Sequence, residues 1–258
     1  GRVLRADTGS PLTKAVVTLS PEGRTPGSIS TRTDGSGAFD FQEVPPGRYQ
    51  LRALRSGFVP LVYGQRSGGP GLMLTVGPGQ LLQKLDFRLE PGGVISGAVR
   101  DEDNEPVERL QVQAVRLRFL PGGRQVASAV QSAATDDLGN YRLAALPKGF
   151  YYVQAGMTTG SAVAPSSFIT FSYAPTYYPR TTVRDEAQRV QVSAGGETRG
   201  VDVWVATTQT YSVSGMIIDS APSSRRRTFE IGITRGGGTV YTHVDRDNGF
   251  FTLRGLTP

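Results

Sequence analysis

Residues 33–49, TDGSGAFDFQEVPPGRY, return in altered form at 135–151 as TDDLGNYRLAALPKGFY and at 245–258 as DRDNGFFTLRGLTP. In all three copies an aromatic residue lies two positions after the turn glycine, and apolar residues lie four and seven positions after it. The two longer copies add a second glycine at position ten and a tyrosine at position twelve. The shared register indicates that the chain is built from repeats of one structural unit.

The repeated unit is the size of a domain. Each copy is preceded by a short glycine-led segment at Gly1, Gly97 and Gly215, and these starts are 96 and 118 residues apart. Such spacing predicts whole domains and not the turns of a solenoid. A second shared pattern, at 72–89 and 190–205, brings a complete unit to about seven strands, the number typical of a β-sandwich.

The apolar residues follow the period of a β-strand. Tyr49, Leu51 and Ala53 alternate with polar residues, which is the pattern of an antiparallel sheet with one face in water. Only 183–189 has the pattern of a helical turn. We therefore predict an all-β protein of tandem antiparallel β-sandwiches, with complete domains at 1–92 and 93–209 and an incomplete third at 210–258. The junctions are predicted at 91–93 and 207–211.

The polar residues of the repeat suit tight turns. An aspartate such as Asp34 or Asp136 accepts hydrogen bonds from backbone N–H groups two residues further on. Gly37, Gly139 and Gly249 lie where such a turn requires a positive φ. These residues are therefore interpreted as structural.

Composition excludes several classes of protein. The 258 residues include no cysteine and one histidine, so disulfides, thiolate metal sites and two-histidine metal sites are impossible. No apolar run reaches the ~18 residues that a membrane helix needs. The net charge is +6, but no aromatic and basic motif accompanies it, so no nucleic-acid partner is expected.

Together, the glycine-led strand, the T-D-x-x-G turn and the following P-x-G-x-Y segment resemble the carboxypeptidase regulatory-like domain. The resemblance implies a transthyretin-like (Ig-like) β-sandwich, related to Cna-B repeats and starch-binding-like modules. Residues 63–66 and 176–179 are similar to features of large secreted repeat proteins of acidobacteria-like bacteria. The resemblance thus implies a secreted, extracellular or cell-surface protein acting as a spacer, adhesion stalk or filament subunit.

The chain departs from these relatives in two respects. Its asparagines all lie in predicted turns, and none of its three lysines lies on a predicted opening strand, so no Lys–Asn isopeptide crosslink is expected. It also lacks the zinc-binding His and Glu set of a carboxypeptidase. We predict no enzymatic activity, no cofactor and no metal. Residues 101–105 are acidic but fit no calcium-loop spacing, and His243 has no activating partner that the sequence identifies.

Six residues are candidates for ligand or interface contacts. Period two places Trp204 outside the core if Val201, Val203 and Val205 face inward. An exposed tryptophan is either a sugar-stacking platform or an interface anchor, unless the preceding insert covers it. That insert, 157–188, carries Tyr173, Tyr177 and Tyr178, which either form a binding loop or pack onto the sandwich. The corresponding part of the first repeat carries Tyr63 and Arg66.

The resemblance and the candidate residues lead us to expect one of two functions for this protein. The first is a non-enzymatic structural or interaction protein, a stalk or filament subunit whose partners are other protein chains. The alternative is a carbohydrate-binding accessory module that uses the exposed aromatics on surface glycans. The incomplete third unit is explained either by a fragment of a longer protein or by strand addition from a neighbouring molecule.

Overall fold

The computed structural model describes residues 1–23, 27–65, 69–119, 125–156, 171–209, 211–218, 229–235, 238–245 and 248–256. Within these ranges the regular structure is β-strand, apart from one short 3-10 helix at Arg184–Glu186. The all-β prediction is confirmed, and the predicted helical turn at 183–189 is this 3-10 helix.

The first repeat forms seven strands, as the pattern predicted. They are β1 (Val3–Arg5), β2 (Val16–Pro21), β3 (Ile29–Arg32), β4 (Gly47–Leu54), β5 (Leu61–Val62), β6 (Met73–Val76) and β7 (Phe87–Leu89). One sheet has the order β3-β2-β4-β5, with β6 also paired to β4, and all its pairs are antiparallel. The other sheet is the parallel pair β1-β7.

The second repeat contains ten strands, because the connection after its fifth strand adds short ones. They are β8 (Gly93–Arg100), β9 (Gln111–Phe119), β10 (Gln125–Ala134), β11 (Asn140–Leu146), β12 (Gly149–Ala155), β13 (Phe171–Tyr173), β14 (Thr176–Tyr177), β15 (Val190–Val192), β16 (Glu197–Thr198) and β17 (Val203–Trp204). One sheet has the order β10-β9-β12-β14 with β15 on β12, and the other has the order β11-β8-β16 with β17 on β8.

The remaining strands are β18 (Thr207–Gln209), β19 (Tyr211–Met216), β20 (Glu230–Arg235), β21 (Gly238–His243) and β22 (Phe250–Leu256). β18 pairs with β13, β19 pairs with β22, and β20 and β21 form a hairpin. The described part of 211–256 therefore holds four strands. Residues 207–209 of the junction predicted at 207–211 form β18, which pairs with β13, and the junction stays a prediction.

Side-chain alternation builds the core of the first sandwich. Along β4, Tyr49, Leu51 and Ala53 are buried, whereas Gln50 and Arg52 are exposed. The same alternation holds in β7, where Phe87 and Leu89 are buried on either side of an exposed arginine. Burial of these large side chains stabilises the sandwich by about 1.5–3 kcal/mol for each one. The core cluster is Val3, Leu12, Ala15, Val17, Leu19, Phe39, Tyr49, Leu51, Ala53, Phe87 and Leu89.

By their internal contacts the residues form two compact units. The first joins 1–94 with two short segments, 144–149 and 192–197. The second contains 95–143, 150–191 and 198–258. The division into domains at 1–92, 93–209 and 210–258 stays a prediction.

Candidate functional site

Trp204 lies on the outer side of its strand. Val201, Val203 and Val205 are buried, and the indole between them is partly exposed. The backbone N–H of Trp204 donates to the carbonyl of Pro179 at 3.0 Å, and the guanidinium of Arg180 lies 5.7 Å from the ring centroid. One side of the ring is thus partly occupied by a cation, which reduces the surface open to another ligand.

The described tyrosines of the insert differ in exposure. Tyr177 is only 5% exposed, and its ring meets that of Tyr152 edge-on with centroids 6.4 Å apart. Burial, as the largest cause, raises the pKa of Tyr177 above its usual value. Tyr178 is partly exposed, and its N–H donates to the Val153 carbonyl at 2.9 Å. For Tyr177 the structure therefore favours packing onto the sandwich over a binding loop.

Tyr173 keeps more contact with solvent. It lies on β13, opposite Thr207 of β18, and is partly exposed. Partial burial raises the pKa of its hydroxyl, and the nearby carboxylates of Asp101 and Glu102 add to the effect. Tyr173, Tyr178 and Trp204 are therefore the partly exposed aromatic candidates of the second unit.

The two candidate residues of the first repeat, Tyr63 and Arg66, are not brought together in the described part of the structure. Tyr63 is partly exposed and packs edge-on against Phe87, with ring centroids 5.8 Å apart. Arg66 lies outside the described residues. The Tyr63 ring is therefore attached to the core cluster.

The acidic stretch at 101–105 forms a turn. Asp101 Oδ1 accepts hydrogen bonds from the N–H groups of Asp103 at 3.0 Å and Glu105 at 2.9 Å. His243 ends β21, in register with Glu230. In the part of the chain that the structure describes, no three His, Asp or Glu side chains gather in a way that could hold a metal ion.

The first and last strands pair in parallel in both complete repeats, which the sequence did not predict. β1 and β7, the first and last strands of the first sandwich, pair in parallel, with Val3 opposite Phe87. β8 and β17, the corresponding strands of the second repeat, also pair in parallel, with Val99 opposite Val203. We call β1-β7 and β8-β17 the terminal-strand pairs. Each joins the two ends of its repeat.

An aspartate in each repeat reinforces its terminal-strand pair. Asp86 Oδ1 accepts a hydrogen bond from the N–H of Arg2 at 3.0 Å. Asp202 Oδ1 accepts one from the N–H of Ala98 at 2.8 Å. The signal was present in the sequence, because an aspartate stands at the same place in the aligned segments 85–89 and 201–205.

The turn aspartates act as predicted. Asp34 Oδ1 accepts from the N–H groups of Ser36 at 2.8 Å and Ala38 at 2.9 Å, and Asp136 Oδ1 accepts from those of Leu138 and Asn140. The hydrogen bonds from Ser36 and Ala38 hold the pKa of Asp34 below its usual value, and the largest contribution is that of the Ser36 hydroxyl. The turn glycines have φ of +73°, +76° and +72°, as predicted.

A buried threonine precedes two of the three turns. Thr33 Oγ1 donates to the carbonyl of Leu12 at 2.6 Å and accepts from the N–H of Ala15 at 2.9 Å. Thr135 makes the same two bonds, to Val107 and from Leu110, at the same distances. This hydroxyl joins the turn to the segment that enters the next strand in each sandwich.

The segment predicted as the first junction is packed. Gly92 is buried, and its N–H donates to the carbonyl of Gly57 at 2.8 Å. A Cβ atom on Gly92 would lie 2.5 Å from the Cα of Ala145. The N–H of Val94 donates to the carbonyl of Gly196 at 2.9 Å. Within the first compact unit this segment is therefore held in place and is not a free linker.

These turns and strands agree with a family assignment. Residues 1–90 match the carboxypeptidase regulatory-like domain family. The carboxypeptidase regulatory-like domain thus covers all seven strands of the first sandwich, as the resemblance implied. The second repeat shares its turn, its buried threonine and its terminal-strand pair. A search of curated proteins found no match.

Several solved structures show a distant likeness. A minor pilin of Streptococcus agalactiae is 13% identical, with 83% of this chain and 88% of that chain covered and a TM-score of 0.28. The shaft pilin SpaA of Lactobacillus rhamnosus GG is 10% identical, with 78% and 90% covered and a TM-score of 0.27. The TIE protein of Bacillus anthracis is 15% identical, with 98% and 42% covered and a TM-score of 0.28. At such low TM-scores these likenesses carry no argument.

No helix in the described ranges has the length and apolar character needed to cross a bilayer.

Proposed function

We propose that this protein is a non-enzymatic structural or interaction protein, exported to the cell surface or the extracellular space, that bears tension as a stalk or filament subunit. The observation that carries the proposal is the parallel pairing of the first and last strands in both complete repeats. A tether must resist force applied at the two ends of each domain, and these strands are the ends.

Because the terminal strands are parallel, a force on the two ends of the domain loads their hydrogen bonds in shear. Tension pulls the amino end of β1 and the carboxyl end of β7 in opposite directions along the strand axis. The strands must therefore slide past each other, and all the hydrogen bonds between them share the load. In the first sandwich, bonds from Phe87 N–H to Arg2 O and from Ala6 N–H to Leu89 O, both of 2.8 Å, lie at the two ends of the pair.

The second repeat supports the same mechanism. Val201 N–H donates to Ser96 O at 3.1 Å, and Val205 N–H donates to Arg100 O at 2.8 Å. The bond from Ala98 N–H to the Asp202 carboxylate lies between them. Two repeats with the same terminal-strand pair favour a function that depends on the strength of each domain.

The packed segment at 91–94 also supports a load-bearing role. A flexible glycine linker changes its end-to-end distance freely under small forces. Here Gly92 is buried and hydrogen-bonded, and a larger side chain does not fit beside Ala145. This part of the chain is therefore expected to transmit tension without first extending.

End-to-end pulling of the whole chain in a force spectrometer tests the proposal, because forced unfolding is governed by the unfolding rate. Asp86→Ala removes the hydrogen bond that the Arg2 N–H donates to the carboxylate. Such a bond contributes about 1 kcal/mol to stability, so its loss raises the unfolding rate by a factor of about five. We expect the first sandwich of this variant to unfold at lower force than the wild type.

The matched control is Asp40→Ala, which removes an exposed carboxylate that lies 3.4 Å from the Gln42 side chain and outside the terminal-strand pair. It should leave the unfolding force unchanged. Equal unfolding forces for the wild type, Asp86→Ala and Asp40→Ala would count against the load-bearing role. Cleavage of the chain by protease added to intact producing cells tests the surface location.

The alternative, glycan binding, is favoured by the partial exposure of Trp204 and Tyr173 in the same unit. It predicts that Trp204→Ala abolishes retention on glycan arrays and leaves thermal stability unchanged. Phe150→Ala is the control, because Phe150 is 55% exposed and has Arg189 5.5 Å from its ring centroid in a similar arrangement. Retention that is equal in both variants and the wild type would remove this alternative.

A further inference from the structure

The second repeat has a sheet edge at β10. With ten residues, β10 is the longest of the described strands. In the order β10-β9-β12-β14 it lies at one end, and β9 is the one described strand that pairs with it. The backbone N–H and C=O groups on the other side of an edge strand can pair with a strand of another chain.

This edge lacks the charged residues and prolines that usually protect edge strands from pairing. Residues 125–134, QVASAVQSAA, contain neither. In the first repeat the corresponding edge strand, β3, has only four residues and ends in Arg32. β10 contains one β-bulge, at Val130, where the register with β9 shifts. The regular part of this uncharged edge is therefore 125–129.

The hydrogen bonds of β9 fix which backbone groups of β10 point outward. The N–H of Gly156, which follows β12, donates to Gln111 O at 3.1 Å, so the odd-numbered residues of β9 direct their N–H and C=O groups toward β12. This direction alternates along a strand, so the even-numbered Arg116 directs its groups toward β10, where Ser128 lies opposite. Ser128 therefore bonds to β9, and the residues on either side of it direct their N–H and C=O groups to the free edge.

The sequence of this edge is complementary to itself. Residues 125–131, Gln-Val-Ala-Ser-Ala-Val-Gln, read the same in both directions. In an antiparallel pair of two copies centred on Ser128, Ala127 of each copy lies opposite Ala129 of the other. Both alanines direct backbone groups to the edge, so both of these opposed pairs are hydrogen-bonded pairs. A dimer with two-fold symmetry requires a patch that pairs with itself in this way.

The side chains beside the axis are small and apolar. Ala127 and Ala129 lie opposite Leu117 and Val115 on one face of the sheet, and Tyr152 lies opposite Val115 on the same face. Ala129 is exposed. Alanine allows two backbones to approach closely, and the apolar faces of two copies would join across the axis. These contacts favour a second copy of the chain over a charged partner, because 125–134 offers no charged side chain.

We propose that two copies of this chain associate through β10, with the two strands antiparallel and the two-fold axis at Ser128. Their sheets then form one continuous sheet. The bulge at Val130 limits the pairing to a short segment, so the dimer dissociates as the protein is diluted. The inference names a partner for the proposed structural function and rests on that function only for the role of the dimer.

Disulfide crosslinking tests the position of the axis, because the chain has no cysteine of its own. In Ser128→Cys the two introduced thiols lie opposite each other in a non-hydrogen-bonded pair, with Cα atoms about 4.5 Å apart, which suits a disulfide. Ser132→Cys is the matched control, since Ser132 is exposed on the same strand but lies away from the axis. Under mild oxidation we expect Ser128→Cys to form the covalent dimer at least about tenfold faster than the control. Equal rates, or no covalent dimer, would overturn the proposal.

Charge substitutions test the register by sedimentation equilibrium of the whole chain. Ala129→Lys brings two lysines near the axis and should raise the dissociation constant of the dimer by about fivefold or more. Adding Ala127→Glu sets a glutamate opposite each lysine of the other copy and should restore the dimer, whereas Ser132→Lys should leave it unchanged. Monomers at every concentration up to about 1 mM, or a dimer insensitive to Ala129→Lys, would contradict the proposal. The pulling experiments do not depend on β10, so failure of this proposal and failure of the load-bearing role are distinguishable.

Discussion

Replacement of Thr33 by valine tests the buried hydroxyl that joins the first turn to the core. Valine has nearly the same shape, so the change removes the hydroxyl and creates no cavity. It leaves the carbonyl of Leu12 and the N–H of Ala15 without the bonds of 2.6 Å and 2.9 Å that they make to Thr33 Oγ1. Thr33 is 5% exposed, so water does not replace these bonds.

The magnitude follows from two buried groups that lose their partner. Each buried group without a partner lowers the free energy of unfolding by about 1–3 kcal/mol. The additional apolar methyl group of valine offsets part of this cost, so we expect Thr33→Val to lower the free energy of unfolding by about 2–4 kcal/mol. For a domain of this size that lowers the melting temperature by at least ~8 °C.

Hydrogen exchange followed by mass spectrometry is the suitable assay, because it reports the stability of each sandwich separately in one chain. Peptides covering 12–33 should lose protection in Thr33→Val, and peptides covering 107–135 should not. Thr18→Val is the control, since the Thr18 hydroxyl is exposed and pairs with Ser30 on the sheet surface. A loss of less than ~0.5 kcal/mol in Thr33→Val would refute the argument from buried polar groups.

Three further predictions concern the turns and the core. Gly37→Ala should destabilise the first sandwich far more than Gly9→Ala in urea unfolding, because both have positive φ but only a Cβ on Gly37 would meet backbone, 2.7 Å from Val3 O. Tyr141→Phe should cost about 1–3 kcal/mol in the same assay, because it leaves the buried carbonyl of Val201 without the Tyr141 hydroxyl; no change would show that this bond is not stabilising. The lowered pKa of Asp34 means that its carboxylate stabilises the fold above the usual carboxyl pKa, near 3.9, and loses this effect as the pH falls through the lowered value. Asp34→Asn should therefore show a weaker fall in stability between pH 5 and pH 2 than the wild type, and identical pH profiles would contradict the assignment.

Local patterns made much of the fold predictable. The alternation at Tyr49, Leu51 and Ala53 predicted β4, because strand period and burial are read from neighbouring residues. The turns at Asp34 and Gly37 were predicted for a similar reason, since their hydrogen bonds and positive φ involve residues close in sequence. Even the helical turn at 184–186 followed from local spacing.

Features that depend on distant contacts were missed. The parallel pairing of β1 with β7 joins residues more than eighty positions apart, and nothing near Val3 indicates that partner. In the insert, strands β13 and β14 form because the distant strands β18 and β12 supply their partners. Burial of Tyr177 has the same origin, since Tyr152 covers its ring. Tertiary context thus decided the strands and the exposure of the aromatic candidates.

The measurement that tests the central claim most directly compares two directions of pulling on the first sandwich. The chain has no cysteine, so introduced pairs define the attachment points. Arg2→Cys with Glu90→Cys loads the β1-β7 pair along its axis. Lys14→Cys with Arg32→Cys places the attachment points at the open end of the antiparallel β2-β3 pair, so that pulling opens this pair one bond at a time. Our account predicts that the first pair of attachment points gives the higher unfolding force at equal loading rate. An equal or lower force for end-to-end pulling would contradict the claim that the terminal-strand pairs bear tension.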